Sequence, residues 1–182
     1  MQVSKELLKG CISEERAAQN QLYKKVFSFL MNICIRYKND YDTAGASLNA
    51  IFLKILQNLD GFRQEDSFFP WIKRIAVNHL IDEHRKEKRH AQNLTYYDQI
   101  SYSKSPQTIH DRDAEMDSEY LVNMIRELPA VTAKVFNLYA IDGYKHREIA
   151  EMLEISENTS KWHVREARIK LKEKLEVFNE TA

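Results

Sequence analysis

The sequence predicts an all-α fold: two small helical domains joined by a linker. Three observations carry this. The 182 residues include only 4 Gly and 3 Pro, too few breakers for a sheet with many turns. Apolar residues recur at spacings of three and four, with no alternating strand pattern and no fixed-period repeat. Residues 91–112 lose that period and separate 1–90 from 113–182.

In the first domain a helix is predicted from Glu14 to Lys38, with Leu22, Val26, Phe29, Leu30 and Ile33 on one face. A second runs from Thr43 to Leu59, N-capped by Asp42 and buried through Leu48, Ile51, Phe52, Ile55 and Leu59. "DGFRQEDS", 60–67, reads as a loop. A long third helix spans Phe68 to Arg89, with Pro70 in the first turn, where its missing N–H does no harm. Ile72, Ile75, Ala76 and Leu80 face inward. Asn78, Asp82, Arg85 and Arg89 fall on one polar row, and an Asp82–Lys86 pair on a solvated face is the simplest account of them.

The segment "NLTYYDQISYSKSPQTIHD" is rich in Ser, Thr and Tyr and reads as linker. Fully extended, residues 91–112 would reach about 75 Å, comparable with roughly 20 base pairs of duplex. The second domain opens with an amphipathic helix through Tyr120, Leu121, Met124, Ile125 and Leu128. "LPAVTAKVFNLYAI" is the next, started by Pro129, facing inward at Val131, Val135, Leu138 and Tyr139, and closed by Gly143.

Charge separates what composition averages away. The chain is neutral overall. Yet residues 71–90 and 156–175 each carry six Lys or Arg against three acids, and 111–127 carries six acids against two bases. The second basic segment belongs to a two-helix bend. His146 to Leu153 is a short helix buried through Ile149, Ala150 and Leu153; "EIS", 154–156, is the turn; Ser156 caps a helix running to Val177. That last helix packs through Val164, Ala167, Leu171 and Leu175. Its outer face offers Asn158, Lys161, Trp162, Arg165 and Arg168. This is the form of a helix-turn-helix domain, whose second helix enters the major groove of DNA. Two residues depart from ease of folding. Glu154 sits in the turn where glycine would relax the backbone, and Ser160 occupies the apolar stripe.

Other classes find little support. There is no Gly-rich phosphate loop or Ser–His–Asp arrangement, so no catalysis is expected. His79 and Glu83 lie one turn apart, but a lone pair is a poor metal site; no metal or cofactor is expected. His84 and His90 extend the basic face beside Arg85 and Arg89. Cys11 and Cys34 lack CxxC spacing and read as free thiols of a cytoplasmic protein. The N-terminus lacks the apolar run of a secretion signal, and no stretch approaches a membrane span.

Taken together, "FFPWIKRIAVNHLIDEHRKEKR" and "LPAVTAKVFNLYAIDGYKHREIAEMLEISENTSKWHVREARIKLKEKL" resemble the second and fourth conserved regions of bacterial RNA polymerase sigma factors of the extracytoplasmic-function type. The likeness covers about 22–90 and 113–175. It implies that 1–90 takes core RNA polymerase and the minus-10 promoter element, and that 113–182 takes the minus-35 element, with 91–112 between them. By position, Glu157, Asn158, Lys161 and Trp162 would meet base edges, and Thr159, Arg165 and Arg168 phosphates. Trp71, Asn78, Asp82, Arg85 and Arg89 would serve the minus-10 element, with Phe68 and Phe69 near the loop that holds an unstacked base. The family's acidic, Gln-containing polymerase-docking patch is replaced here by "AGASLNAIFLK", 44–54. Ala46 stands for an Asp and Asn49 for a Gln, which leaves Asn49 and Lys54 as the polymerase-binding residues. Members of this family are often held by an anti-sigma partner. Two other functions fit the residues alone: a stand-alone helix-turn-helix regulator that binds DNA without polymerase, and a helical adaptor that binds protein.

Overall fold

A computed structural model describes residues 3–38, 40–63, 67–94 and 116–181, and every regular element among them is helical. The chain divides into two compact units, Met1–Ser105 and Pro106–Ala182.

The first unit contains α1 (Lys5–Ile12), α2 (Arg16–Tyr37), α3 (Tyr41–Gln57), a 3-10 turn (Leu59–Gly61) and α4 (Phe68–Leu94). Helix α1 was not expected from the sequence. At 8 residues it is too short for periodicity to stand out. It forms because Ser4 caps it, accepting from the Leu7 amide at 3.3 Å, and because Leu7, Leu8 and Cys11 bury against α2. Gly10 permits the approach: a Cβ there would stand 2.8 Å from Ala18 Cβ. The helix ends at Glu14, whose φ of 57° is left-handed, while the Glu15 amide donates to the Gly10 carbonyl at 3.0 Å.

Helices α2, α3 and α4 pack pairwise. Leu22, Val26, Leu30, Leu48, Ile51, Ile55, Ile72 and Ala76 are fully buried between them, the larger ones each stabilising by about 1.5–3 kcal/mol. The expected stripes hold, with Phe29, Phe52 and Ile75 only partly buried. The α3 cap is Asp40 rather than Asp42: its Oδ1 accepts from the Thr43 amide at 2.8 Å. Asp42 instead lies in the first turn, where its charge suits the helix dipole. Helix α4 extends past Arg89 to Leu94, the first residues of the predicted linker. The rest of that linker, to 112, lies outside the described residues, as does the start of the second domain at 113–115.

A polar knot fastens the C-terminal end of α2 to α3 and α4. Glu83 accepts from Ser47 Oγ at 2.8 Å and pairs with Lys38 Nζ at 3.1 Å. Lys38 also pairs with Glu87 at 3.1 Å, and His79 Nε2 lies 3.3 Å from Glu83. Burial alone would raise the Glu83 carboxyl, but the bonds from Ser47 and Lys38 hold it below its ordinary value of 4.5. Burial is also what pushes His79 below 6.5. Beside the knot, burial and then the Glu83 charge push the Cys34 thiol up to about 12. Cys11 and Cys34 are both free and buried.

The second unit contains α5 (Met116–Arg126), α6 (Ala130–Phe136), a π-helical turn (Asn137–Ile141), α7 (His146–Leu153) and α8 (Glu157–Thr181). Its core gathers Ile125, Leu128, Ala133 and Ala167, with Phe136 and Leu171 against them. Leu121 and Leu175 were expected inside but are 47% and 38% exposed, because the core shared by α5, α6 and α8 gathers on Ile125, Leu128, Ala133 and Ala167 and does not include them. The helix begun at Ala130 changes pitch at Asn137, and Gly143, at φ 83°, lets the chain turn into α7. Helix α7 has the predicted bounds. Its C-cap, Glu154, is left-handed (φ 56°, ψ 47°), and the Ile155 amide donates to the Ala150 carbonyl at 3.1 Å. Ser156 then caps α8, accepting from the Thr159 amide at 3.0 Å.

Two consequences follow for stability. Glu83 and His79 both have depressed values in the fold, so the unfolded chain takes up protons first as pH falls. Their contributions are complete above 6.5 and are eroded below it, His79 first and Glu83 below 4.5. Amide exchange across α4 is expected to speed up over that range. Glu83→Ala, which leaves Ser47 unsatisfied and Lys38 with Glu87 alone, should cost about 1–3 kcal/mol at neutral pH. Ser156→Ala should cost about 1 kcal/mol, read as faster exchange in the first turn of α8 with α4 unaffected.

Candidate functional site

The two predicted polar faces are present, one in each unit. In the second unit, α8 begins at the cap on Ser156 and exposes Glu157, Asn158, Lys161, Trp162, Arg165 and Arg168. Their spacing sets them on one side of the helix. Lys161 Nζ pairs with Glu157 Oε1 at 2.8 Å, and this bond holds the exposed Glu157 carboxyl below its ordinary value. Either partner must leave the other to reach a base. Trp162 is 56% exposed, with His163 at its edge, ring centroids 4.9 Å apart. Thr159 differs from the rest. It is partly buried and its hydroxyl lies 2.7 Å from Ser156 Oγ, so it belongs to the cap.

Behind this face lie polar contacts that the sequence analysis did not anticipate. Ser160 is fully buried and 3.0 Å from His146 Nδ1. His163 Nδ1 is 2.9 Å from Thr132 Oγ1, and burial lowers the His163 pKa. Thus α8 is tied by polar bonds to both α7 and α6. The signal was Ser160 itself: a hydroxyl in an apolar stripe requires a partner. The basic end of α8 is anchored too, by Lys174 pairing with Glu127.

In the first unit, Asn78, Asp82 and Arg89 are exposed along α4 and Arg85 is partly buried. Asp82 lies 3.9 Å from Arg85 Nη1, a different neighbour from the expected Lys86. Arg89 Nε donates to the Arg85 carbonyl at 3.3 Å. Asn78 and Asp82 line a cleft of about 330 Å³ together with Trp71, Ile75, His79, Lys54, Asn58 and Gly61. Trp71 stands at the edge of an aromatic cluster: Phe62 is 5.0 Å and Phe68 5.8 Å from it, ring to ring. Phe69 instead packs on Phe29 at 5.0 Å. Gly61 and Phe62 were missed because they come from the segment between α3 and α4, where no periodicity assigns a direction to a side chain, and Asn58 because it falls in the last turn of the predicted helix Thr43–Leu59, which in the structure stops at Gln57.

The predicted polymerase-binding pair is not brought together. Asn49 and Lys54 are about 140° apart around the helix. Asn49 is exposed and accepts from Tyr23 Oη at 2.9 Å, while Lys54 lines the cleft with Trp71 and Asp82. The face of Asn49 continues through Ala46 and Leu53, the latter 56% exposed. The Glu83 carboxylate beside His79 is taken by Lys38 and Ser47, and no group of three or more His, Cys, Asp or Glu among the described residues is arranged to hold a metal. No described helix is long and apolar enough to cross a membrane.

Comparison with known proteins agrees with this arrangement. Residues 22–90 match the family model for sigma-70 region 2, and residues 118–171 match that for sigma-70 region 4. The RNA polymerase sigma factor SigZ of Bacillus subtilis is 26% identical over 145 residues, 76% of this chain and 76% of its own. The extracytoplasmic-function RNA polymerase sigma-E factor of Haemophilus influenzae is 26% identical over 180 residues, 89% of this chain and 93% of its own. Among solved structures, the sigma factor RpoE of Bartonella quintana, in complex with the anti-sigma factor NepR, shares the fold with a TM-score of 0.53 at 21% identity, over 87% of this chain and 96% of that one. The region 2 match ends on the basic α4, and the region 4 match contains α7, the turn and α8 as far as Leu171. With those two regions in order, the chain belongs to the sigma-70 family, as a sigma factor of the extracytoplasmic-function type that directs transcription initiation by RNA polymerase.

Proposed function

We propose that the two units divide the promoter between them. The unit holding α8, within 113–182, reads the minus-35 element. The unit holding α4, within 1–90, engages the minus-10 element and core polymerase, and 91–112 spans the distance. The observation that carries this is the capped, doubly tethered α8, which leaves Asn158, Lys161, Trp162, Arg165 and Arg168 exposed on one side. A rigid helix in the major groove places such side chains at base edges and phosphates. Glu157 serves as an acceptor toward an exposed base amino group once Lys161 moves to the DNA. Thr159, whose amide and hydroxyl are both engaged in the cap, leaves the phosphate to the first amides of the helix end, at Glu157 and Asn158.

At the minus-10 element the cleft beside Trp71 suits an unstacked base. A ring face is offered by Trp71, and hydrogen-bonding groups by Asn58, Asn78 and Asp82. Arg85 and Arg89 continue the row toward the backbone. Lys54 is better matched to this cleft than to the polymerase. Core polymerase is met instead through the Ala46, Asn49 and Leu53 face of α3, where apolar contact replaces the acidic patch usual in the family. An anti-sigma partner of the kind bound to the Bartonella quintana relative would compete for that face. The chain needs no cofactor for these roles, and the phosphodiester chemistry belongs to the polymerase.

Reconstitution with core polymerase on a genomic DNA library, followed by mapping of transcript starts, tests the whole. New start sites with a shared upstream element are expected. DNA bound by the chain alone as a dimer would mark a stand-alone regulator, and no salt-dependent binding in either state would mark a protein adaptor. On a mapped promoter, Lys161→Ala should cost about 1–3 kcal/mol of binding through a lost base contact. Arg168→Ala should weaken binding to all sequences and reduce the salt slope by about 0.9. Trp71→Ala should leave recruitment to duplex DNA intact yet reduce permanganate-detected strand opening on the order of tenfold, as loss of about 1–3 kcal/mol of stacking requires.

A further inference from the structure

One group of side chains has no part in base reading, yet joins three elements behind α8. The His146 ring stacks on Tyr139, centroids 4.4 Å apart and planes 15° from parallel. Its Nδ1 is 3.0 Å from the buried Ser160 Oγ. The Arg168 guanidinium carbon lies 6.0 Å from the Tyr139 ring centroid. Ser160 and Arg168 are two turns apart on α8, about 12 Å along its axis. A single stacked pair therefore touches α8 at two separated points. Tyr139 belongs to the π-helical turn Asn137–Ile141, and wider turns of this type often serve function.

The geometry points to Tyr139 as a positioning residue for Arg168. Its ring, braced by His146 and through it by Ser160, holds the Arg168 guanidinium ready for a DNA phosphate. The physical basis is twofold. An exposed arginine has many rotamers, and ordering it on binding opposes affinity. A planar guanidinium beside an aromatic face is restricted before the phosphate arrives and keeps its outer N–H groups free for it. The braced ring has little freedom of its own, since its neighbour His146 is fixed to the buried Ser160. This inference rests on the phosphate role proposed above for Arg168.

The test uses holoenzyme reconstituted from core polymerase and the full chain, on a promoter duplex obtained by start-site mapping. Affinity is measured across a range of salt concentrations. Tyr139→Leu is expected to lose affinity by the same factor as Arg168→Ala and to flatten the salt slope by the same amount, about 0.9 for one phosphate. The double variant should fall no further than either single one, the signature of a shared contact. Tyr139→Phe, which keeps the ring, should retain both affinity and slope. Should Tyr139→Leu not fold, as judged by amide exchange in α8, Tyr139→Met takes its place, since it fills space without a ring. A Tyr139→Leu or Tyr139→Met variant whose slope is unchanged, or whose loss adds in full to that of Arg168→Ala, overturns the positioning role while leaving Arg168 as a phosphate contact. An Arg168→Ala holoenzyme with an unaltered slope removes the phosphate contact and this inference with it. Failure to find any new start site overturns the parent function and both residue roles.

Discussion

The direction of α8 depends on one backbone constraint, the left-handed residue Glu154 between α7 and α8. A residue other than glycine in that region carries a cost of about 1–2 kcal/mol. The structure offsets it locally. The Ile155 amide bonds to the Ala150 carbonyl across the bend, and Ser156 takes the Thr159 amide immediately afterward. The chain thus reverses within three residues and restarts a helix with its first amides satisfied. Every exposed side chain on α8 inherits its direction from that reversal. The same device closes α1, where Glu14 is left-handed and the Glu15 amide reaches Gly10.

Burial of apolar stripes holds each unit together, but it does not by itself fix how a helix is rotated about its axis. Buried polar bonds do that. In the second unit Ser160 to His146 and Thr132 to His163 define the rotation of α8. In the first, Ser47 and Lys38 converge on Glu83 from α3 and from the C-terminal end of α2. Such groups contribute little net energy when satisfied and cost much more when a partner is lost. Their effect is therefore on uniqueness more than on total stability. On the proposed role of α8 this matters, because a helix turned by a few tens of degrees would present different side chains to a groove.

Helix α3 shows how one element can offer two separate faces. Ala46, Asn49 and Leu53 share one exposed face. Lys54, on the opposite side, faces the cleft with Trp71 and Asp82. Two residues close in sequence on one helix therefore face different surroundings, since five positions along an α-helix leave them about 140° apart in angle.

The sequence by itself determined the helical class, the two basic faces, the bounds of α7, the Ser156 cap and the outward set on α8. These are local matters: periodicity, capping chemistry and charge depend on residues within a few positions of one another. It also supplied the family, because two motifs in order across a gap are more specific than either alone. It did not supply α1, whose 8 residues gain stability only against α2. Nor did it choose Asp40 over Asp42, since both carboxylates can cap and only the backbone angles decide. Tertiary structure alone decided that Leu121 and Leu175 stay exposed, that Lys54 joins Trp71, and that Tyr139, His146, Ser160 and Arg168 meet. Those contacts join residues from different helices, and their existence depends on packing angles and helix rotations that no one-dimensional pattern encodes.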